Sequence, residues 1–280
     1  MKKSKLIADS GATKTEWCLL GHGKIKKVFT QGISPYFMDE GQIGNLLEAE
    51  LMPTLKKITV DEIYYYGTGC SNPNNVLIIK KAIQKTFPGT KVKVDHDLMA
   101  AARALCGTHK GIACILGTGS NSCYFNGKKI EKNTPGLGYV LGDEGSGAYL
   151  GKKLVQQYLY GNFDADLMAR FDATYTTTAV EILENVYKKP LPNRYLAGFV
   201  LFLSKNRGHP FIEKIIYDGI NDFFLNHICN YPESKKFPVN FTGGVAFGFQ
   251  DVLHQLCRTY KLVPGKILKN PMEGLIEYHS

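Results

Sequence analysis

The chain has 280 residues, of which 44% are hydrophobic and 21% are charged, and its formal net charge is +9. This length suits one large domain or two medium ones, and the composition excludes a disordered chain or a fibre. No apolar run is long enough to cross a bilayer, and the lysines form short clusters near loops without interleaved aromatic residues. We therefore expect neither a membrane nor a nucleic acid as partner. Seven scattered cysteines without close pairs favour a reducing, cytoplasmic compartment and predict no zinc site.

The first half begins with a predicted β-hairpin whose loop is rich in small residues. One apolar strand runs directly into residues 9–11, and a second strand follows the loop. Pro53 should kink or split the helix that follows. The predicted elements of this half are strands 5–8 and 16–20, helix 43–55, strand 62–66 before the turn 67–69, strand 92–94 and an alanine-rich helix 98–105.

The hairpin pattern returns in the second half. Strand 111–116 runs into the small-residue turn 117–120, and a further apolar strand and a Gly-Lys turn follow. The two patterns superimpose when Gly11 is aligned with Gly117, which indicates that one unit has been duplicated. The other predicted elements are helix 149–160, a helix that begins at 210, strand 239–241 before the turn 242–244, and a helix around 252–256.

Strands that alternate with helices predict an α/β protein. Two similar halves predict two lobes with a ligand cleft between them. We place the first lobe at 1–107 and the second at 108–280.

The two glycine-rich turns suit a polyphosphate ligand. Glycines let backbone N–H groups approach phosphate oxygens, and Ser and Thr hydroxyls add donors. Asp9 lies at a strand end and is suited to hold Mg²⁺ through water, and Lys14 can meet phosphate charge. Neither turn has the glycine spacing of a Walker loop or of a Rossmann fingerprint. Taken alone, each turn is better explained as a plain hairpin loop.

Together, and in this order, the turns resemble the nucleotide-binding motifs of the actin–hexokinase superfamily. Within it, the chain resembles the N-acetylglucosamine kinase branch of the BadF/BadG/BcrA/BcrD ATPase family, over nearly its whole length. Segment 9–15 resembles the first phosphate motif, 117–121 (GTGSN) the second and 241–246 (FTGGVA) the adenosine motif. The most specific segment is 142–147 (GDEGSG).

The resemblance implies an α/β, two-lobed actin-like ATPase (ribonuclease H-like) fold with duplicated mixed β-sheets, flanking helices and an interlobe cleft. It also implies an ATP-dependent sugar kinase that uses Mg²⁺, with ATP and a sugar as its small-molecule partners. A homodimer stays open. The implied ATP phosphate ligands are Gly11, Ala12, Thr13, Lys14, Gly117, Thr118, Gly119 and Ser120. The implied adenosine ligands are Gly243 and Gly244, and Asp9 would hold Mg²⁺ through water. The implied sugar ligands are Ser34, Asn121, Gly136 and Asp143.

Phosphoryl transfer to a sugar also needs a base, since a hydroxyl is a weak nucleophile. Asp97 is our candidate catalytic residue, because the family carries its base in a similar place before an alanine-rich helix. Without the resemblance, capping that helix is the simpler role for Asp97. Asp95 is the competitor, but it lies inside the strand. We expect His96 to be a neighbour of the base and Glu144 to serve the structure of its loop.

Two departures bear on the sugar. Leu137 stands where animal N-acetylglucosamine kinases have a Trp that contacts the sugar, and Ser34 stands where the family has an Asn. Both changes alter the acceptor pocket. The resemblance implies an amino sugar as substrate, N-acetylglucosamine or a relative, and these two departures keep it from specifying N-acetylglucosamine itself.

Two other functions stay open. The first is a BadF-type ATPase that activates a partner enzyme, which needs iron–sulfur ligands. The chain has no cysteine between Cys123 and Cys229, which argues against it. The second is a non-catalytic sugar sensor on the same fold. The presence of Asp9, Asp97 and Asp143 favours the kinase.

Overall fold

The computed structural model describes residues 3–11, 14–21, 24–55 and 58–280. The chain divides into two compact units. Unit 1 consists of Met1–Thr108 and Pro271–Ser280, and unit 2 of His109–Asn270. The last ten residues, which the sequence analysis assigned to the second lobe, thus belong to unit 1.

Each unit contains one five-stranded sheet with helices beside it. The strands of unit 1 are β1 (Lys5–Ser10), β2 (Lys14–Gly21), β3 (Lys24–Gln31), β4 (Glu62–Gly67) and β5 (Lys91–His96). The strands of unit 2 are β6 (Lys110–Leu116), β7 (Ser120–Asn126), β8 (Ile130–Thr134), β9 (Val239–Thr242) and β10 (Pro264–Leu268). The α-helices are α1 (Glu40–Leu46), α2 (Met52–Leu55), α3 (Pro73–Thr86), α4 (Asp97–Cys106), α5 (Gly138–Leu141), α6 (Gly147–Leu159), α7 (Ala165–Thr174), α8 (Ala179–Tyr187), α9 (Pro192–Gly198), α10 (Val200–Lys205), α11 (Pro210–Asn226), α12 (Gly244–Gly248), α13 (Gln250–Thr259) and α14 (Met272–His279).

The two sheets have the same strand order. It is β3-β2-β1-β4-β5 in unit 1 and β8-β7-β6-β9-β10 in unit 2. In each sheet the central strand pairs antiparallel with the strand that follows it and parallel with a strand much later in its unit. This shared order is the structural form of the duplication predicted from the sequence.

The central strands are buried on both faces, which explains their continuous apolar runs. In β1, Leu6, Ile7 and Ala8 are fully buried, and Ile112 and Cys114 are fully buried in β6. Strands of this kind need helices on both faces of the sheet. Six of the seven cysteines are buried, as expected for small apolar side chains. Among the described residues, no helix is both long enough and apolar enough to span a membrane.

Pro53 interrupts its helix in a specific way. Helices α1 and α2 are joined by a π-helical turn, Leu47–Leu51, and the Met52 N–H donates to the Leu47 carbonyl. Proline has no N–H and cannot continue the α-helical ladder. The wider turn just before Pro53 accommodates that lost bond.

The C-terminal helix α14 packs on α4, which explains why the last residues belong to unit 1. The approach is close, since a Cβ on Gly274 would lie 2.2 Å from the carbonyl oxygen of Ala104. A polar contact adds to it. The Tyr66 hydroxyl lies 2.8 Å from Nε2 of His279 and accepts a hydrogen bond from Arg103 at 2.9 Å.

This packing predicts opposite effects of two Gly-to-Ala changes in helices of unit 1. Gly274→Ala should destabilise the protein by about 1–3 kcal/mol, because the new methyl group collides with backbone. Gly44→Ala is the matched control, since a Cβ there meets nothing within 4 Å. It should stabilise by about 0.5–1 kcal/mol through helix propensity. Urea unfolding measures both, and equal effects would contradict the packing of α14.

Candidate functional site

In unit 1, three parallel strands end at the same edge of the sheet. Ser10 of β1 lies opposite Gly67 of β4, which lies opposite His96 of β5. Asp9 therefore lies at the end of the central strand, and Asp97 directly follows the end of β5. The carboxyl ends of parallel strands are the usual place for ligands in such sheets.

Asp9 and Asp97 form the electrostatic centre of this edge. Burial raises the pKa of Asp9 to about 7, and the negative charges of Asp97 and Glu16 contribute to the rise. Burial also raises the pKa of Asp97, opposed by the N–H of Leu98 and the charge of His96. Two half-buried carboxylates that repel each other suit a divalent cation nearby, which would favour their ionised forms.

Asp97 is the first residue of α4, and its Oδ1 accepts the N–H of Leu98 at 2.8 Å. The N-cap position belongs to His96, whose side chain makes no capping hydrogen bond. Asp97 is thus not the N-cap, although it lies in the first turn where a helix favours negative charge.

The competitor Asp95 is engaged elsewhere. Its carboxylate forms an ion pair with Arg103 at 3.2 Å, and Nε2 of His96 lies 3.8 Å away. Because Arg103 also donates to the Tyr66 hydroxyl, Asp95 belongs to the contacts behind the sheet edge that hold α14.

The first predicted phosphate turn closes with a hydrogen bond from the Gly11 N–H to the Lys14 carbonyl at 3.0 Å. The Lys14 ammonium lies 3.6 Å from the centre of the Phe29 ring. Ala12 and Thr13, two of the predicted phosphate ligands, lie outside the described residues.

Ser34 is buried in the loop after β3, beside the end of β1. The Ser10 hydroxyl lies 3.4 Å from the carbonyl oxygen of Ile33. The Ser34 carbonyl accepts the N–H groups of Phe37 and Met38, both at 3.0 Å. The structure therefore brings Ser34 to the same sheet edge as Asp9.

In unit 2, the predicted adenosine and phosphate motifs meet backbone to backbone. Gly243 follows β9 with φ of 123°, and a Cβ there would lie 2.2 Å from the Leu116 carbonyl oxygen and 3.0 Å from the Gly117 nitrogen. Only glycine permits both this conformation and this approach. Gly244 is exposed and begins α12.

The second phosphate turn is held by the start of α6. The Gly147 N–H donates to the Gly117 carbonyl at 2.8 Å, and the Ala148 N–H donates to the Thr118 carbonyl at 3.0 Å. The Gly117 N–H in turn donates to the Gly119 carbonyl at 3.0 Å. The GDEGSG segment, which ends at Gly147, is thereby tied to the GTGSN turn.

Asp143 lies against two of the predicted ligand glycines. A Cβ on Gly119 would lie 2.9 Å from Asp143 Oδ2, and one on Gly136 would lie 3.0 Å from Asp143 Oδ1. Oδ1 also accepts the Gly138 N–H at 3.2 Å. Burial raises the pKa of Asp143, while hydrogen bonds from the Ser120 and Gly138 N–H groups lower it.

Asn121 has a defined amide orientation. Its Oδ1 accepts the Ser122 N–H and the Asn133 side-chain amide, both at 2.9 Å. The carbonyl oxygen is thus used within the protein, and the amide nitrogen is the group that can donate to a ligand. Asn121 as donor and Asp143 as acceptor form a pair suited to a ligand rich in hydroxyl groups.

Two features of these sites were not predicted from the sequence. The turn 67–69 was predicted, but its contact with the end of β1, from the Thr68 N–H to the Ser10 carbonyl at 3.1 Å, was not. The Gly-Thr-Gly pattern at a strand end was the available signal. No sequence motif marks His227 of unit 2, because its contact with Glu144 is formed only when distant parts of the chain fold together.

Comparison with known proteins gives a consistent result. The chain is 40% identical to a protein from Porphyromonas gingivalis described as a candidate N-acetylglucosamine kinase, with 98% of each chain covered and a TM-score of 0.93. A candidate N-acetylglucosamine kinase from Chromobacterium violaceum is 19% identical, with 99% of each chain covered and a TM-score of 0.73. A ROK-family glucokinase from Streptomyces griseus, in complex with glucose and AMPPNP, is 16% identical, with 98% of this chain and 97% of that chain covered and a TM-score of 0.57.

The similarity to the Chromobacterium violaceum and Streptomyces griseus proteins shows a shared fold and nothing more. Together with the repeated sheet order, these matches confirm the predicted α/β, actin-like ATPase fold. No protein-family model and no curated protein matches the chain.

The raised pKa of Asp9 predicts a pH-dependent gain in stability from Asp9→Asn. In the unfolded chain this carboxyl titrates near its ordinary value of about 3.9. The folded state therefore retains a proton that the unfolded state releases, and the contribution of Asp9 to stability is lost as the pH rises through about 7. The substitution should stabilise the protein more at pH 8 than at pH 5, by about 2–3 kcal/mol.

Urea unfolding at both pH values, with EDTA and without nucleotide, measures the difference. An equal effect of Asp9→Asn at pH 5 and pH 8 would contradict the assigned burial of this carboxylate.

Proposed function

Because the chain belongs to the N-acetylglucosamine kinase family, we propose that it transfers the γ-phosphoryl group of ATP to a hydroxyl of an amino sugar, N-acetylglucosamine or a related hexose. The observation that carries this proposal is the meeting, within unit 2, of the GTGSN turn, the GDEGSG segment and the FTGGVA segment. The first and third suit a nucleotide. The second adds an acidic side chain for a sugar.

ATP would bind through backbone groups in both units. In unit 1 the turn that begins at Gly11 and carries Ala12, Thr13 and Lys14 would hold phosphate oxygens. In unit 2 the turn 117–120 would do the same, with Gly243 and Gly244 beside the adenosine. The exposure of Gly11, Lys14 and Thr118 supports this assignment, because the Lys14 ammonium and the Thr118 hydroxyl are accessible to a ligand.

Asp9 would hold Mg²⁺ through water. The repulsion between Asp9 and Asp97 fits a cation at this edge of unit 1. When bound, Mg²⁺ would neutralise phosphate charge.

Asp97 would act as the catalytic base. It accepts the proton of the attacking sugar hydroxyl as the hydroxyl oxygen bonds to the γ-phosphorus. The bond from that phosphorus to the β–γ bridging oxygen breaks, and ADP leaves. A raised pKa makes Asp97 a stronger proton acceptor than an ordinary exposed carboxylate. The activity should therefore fall as the pH decreases through the pKa of Asp97, because the base must be ionised.

The sugar would be oriented by Asp143 and Asn121. Asp143 accepts from sugar hydroxyls, and the Asn121 amide nitrogen donates to a hydroxyl or acetamido oxygen. Gly136, whose backbone packs closely against Ser120 and Asp143, would contribute from unit 2, and buried Ser34 would contribute from unit 1. Polar pairs of this kind discriminate strongly against ligands that leave them unpaired.

The proposed kinase activity predicts sugar-dependent ADP release. With ATP and Mg²⁺, N-acetylglucosamine or a related amino sugar should stimulate ADP release well above the rate without sugar. A coupled assay over N-acetylhexosamines, hexosamines and hexoses measures it. If no sugar in this panel stimulates release, the kinase proposal is wrong.

The proposed role of Asp97 as catalytic base predicts the effect of its replacement. Asp97→Asn should lower kcat by roughly 10²–10⁴-fold with little change in the KM for either substrate. Asp95→Asn is the matched control on the same strand end, and it should lower kcat less than about tenfold, since its partner is Arg103. Full activity of the Asp97 variant would exclude this residue as the base.

A further inference from the structure

Four side chains of unit 2 form a continuous row of polar contacts beneath the proposed sugar ligands. Nε2 of His227 lies 3.5 Å from Oε2 of Glu144, and Nδ1 of His227 lies 3.2 Å from the Ser122 hydroxyl. That hydroxyl lies 2.9 Å from the hydroxyl of Tyr231. His227, Ser122 and Tyr231 are at most 2% exposed, so these contacts are made away from water.

The chemistry of the four groups assigns each a single role. Burial lowers the pKa of His227, although the charge of Glu144 opposes this, so the imidazole is neutral and carries one N–H. Because the Glu144 carboxylate only accepts, we assign the proton to Nε2; the backbone of Thr134 is a further hydrogen-bond partner of the ring. Nδ1 then accepts from the Ser122 hydroxyl. The Tyr231 hydroxyl donates to the backbone carbonyl of Ser122 at 2.9 Å and accepts the Thr134 N–H at 2.6 Å.

This row connects the two proposed sugar ligands. Ser122 directly follows Asn121 on β7, and the Ser122 N–H holds the Asn121 amide oxygen. Glu144 directly follows Asp143. The row thus runs from the residue beside one ligand to the residue beside the other.

Asp143 needs such support. Its φ of 59° lies in the left-handed region, which residues other than glycine rarely adopt. Strained residues persist at functional sites only where their surroundings hold them. His227 is fixed by α11, where its ring stacks on Phe223 at 4.5 Å between centres. Glu144 therefore anchors the loop that carries Asp143 to the core of unit 2.

We propose that His227 and Glu144 are positioning residues that fix Asp143 and Asn121 for sugar binding. The inference rests on the proposed kinase function and deepens it, since it assigns sugar affinity to groups that need not touch the sugar.

The test compares three variants of the full chain. His227→Phe keeps the ring stacked on Phe223 but removes both nitrogen contacts. His227→Gln places a side-chain amide donor near the position that Nε2 of His227 occupies, and it should restore the contact with Glu144. Glu144→Gln keeps the shape of the loop and removes its charge. His254→Phe, in α13 of the same unit, is the control for the loss of a histidine.

We expect His227→Phe and Glu144→Gln to raise the KM for the sugar by roughly tenfold or more, the effect of losing one hydrogen bond to a charged group. The KM for ATP should change less than about twofold, and His227→Gln should recover most of the sugar affinity. Calorimetric titration of each variant with the sugar alone, without ATP, should show the same ranking. Glu144→Gln keeps the test decisive if the buried substitution prevents folding.

An unchanged sugar KM in both His227→Phe and Glu144→Gln overturns this inference while the kinase function stands. Equal losses for sugar and ATP also overturn it, because they indicate a general structural role. A wild-type protein that phosphorylates no sugar overturns the proposed function and this inference together.

Discussion

Parallel pairing beside the central strand of each sheet is the constraint on which the candidate sites depend. In unit 1, β1 lies parallel to β4 and β4 to β5, so that Asp9 at the end of β1, the turn 67–69 and Asp97 lie at one edge. In unit 2, β6 lies parallel to β9, which places the turns after Leu116 and Thr242 side by side. Residues distant in sequence meet because parallel strands deliver their carboxyl ends to the same edge. A slip in either register would separate them.

Close backbone contact adds a second layer in unit 2. Gly243 touches the turn after β6, and a Cβ on Gly136 would lie 2.2 Å from the Ser120 carbonyl oxygen. These contacts leave no room for a side chain, so the motifs pack against each other as bare backbone. Asp143, in the left-handed region, is the strained residue at the same place. Glycine contacts and one strained acid thus define the site, and the side chains behind them hold it in shape.

Much of this arrangement follows from the sequence. The central strands were predictable because burial on both faces requires continuous apolar runs, and the duplicated turns because they repeat the same pattern. Strands β3, β8 and β10 were not predicted, and all three lie at sheet edges. Edge strands carry charged residues or proline, as in KIKKVFTQ, IEKNT and PGKIL, which weakens the apolar alternation. The role of His227 was unpredictable because its contact with Glu144 is tertiary, and the placement of α14 in unit 1 depends on the close approach at Gly274.

The central claim is that the γ-phosphoryl group of ATP goes to a sugar hydroxyl and not to water. Phosphorus NMR of a reaction with ATP, Mg²⁺ and N-acetylglucosamine, or the best sugar of the panel, observes that fate directly. We predict a new phosphomonoester resonance that grows as the γ-phosphate resonance declines, with little inorganic phosphate. Inorganic phosphate as the sole new product, at a rate that sugar does not change, would contradict the claim.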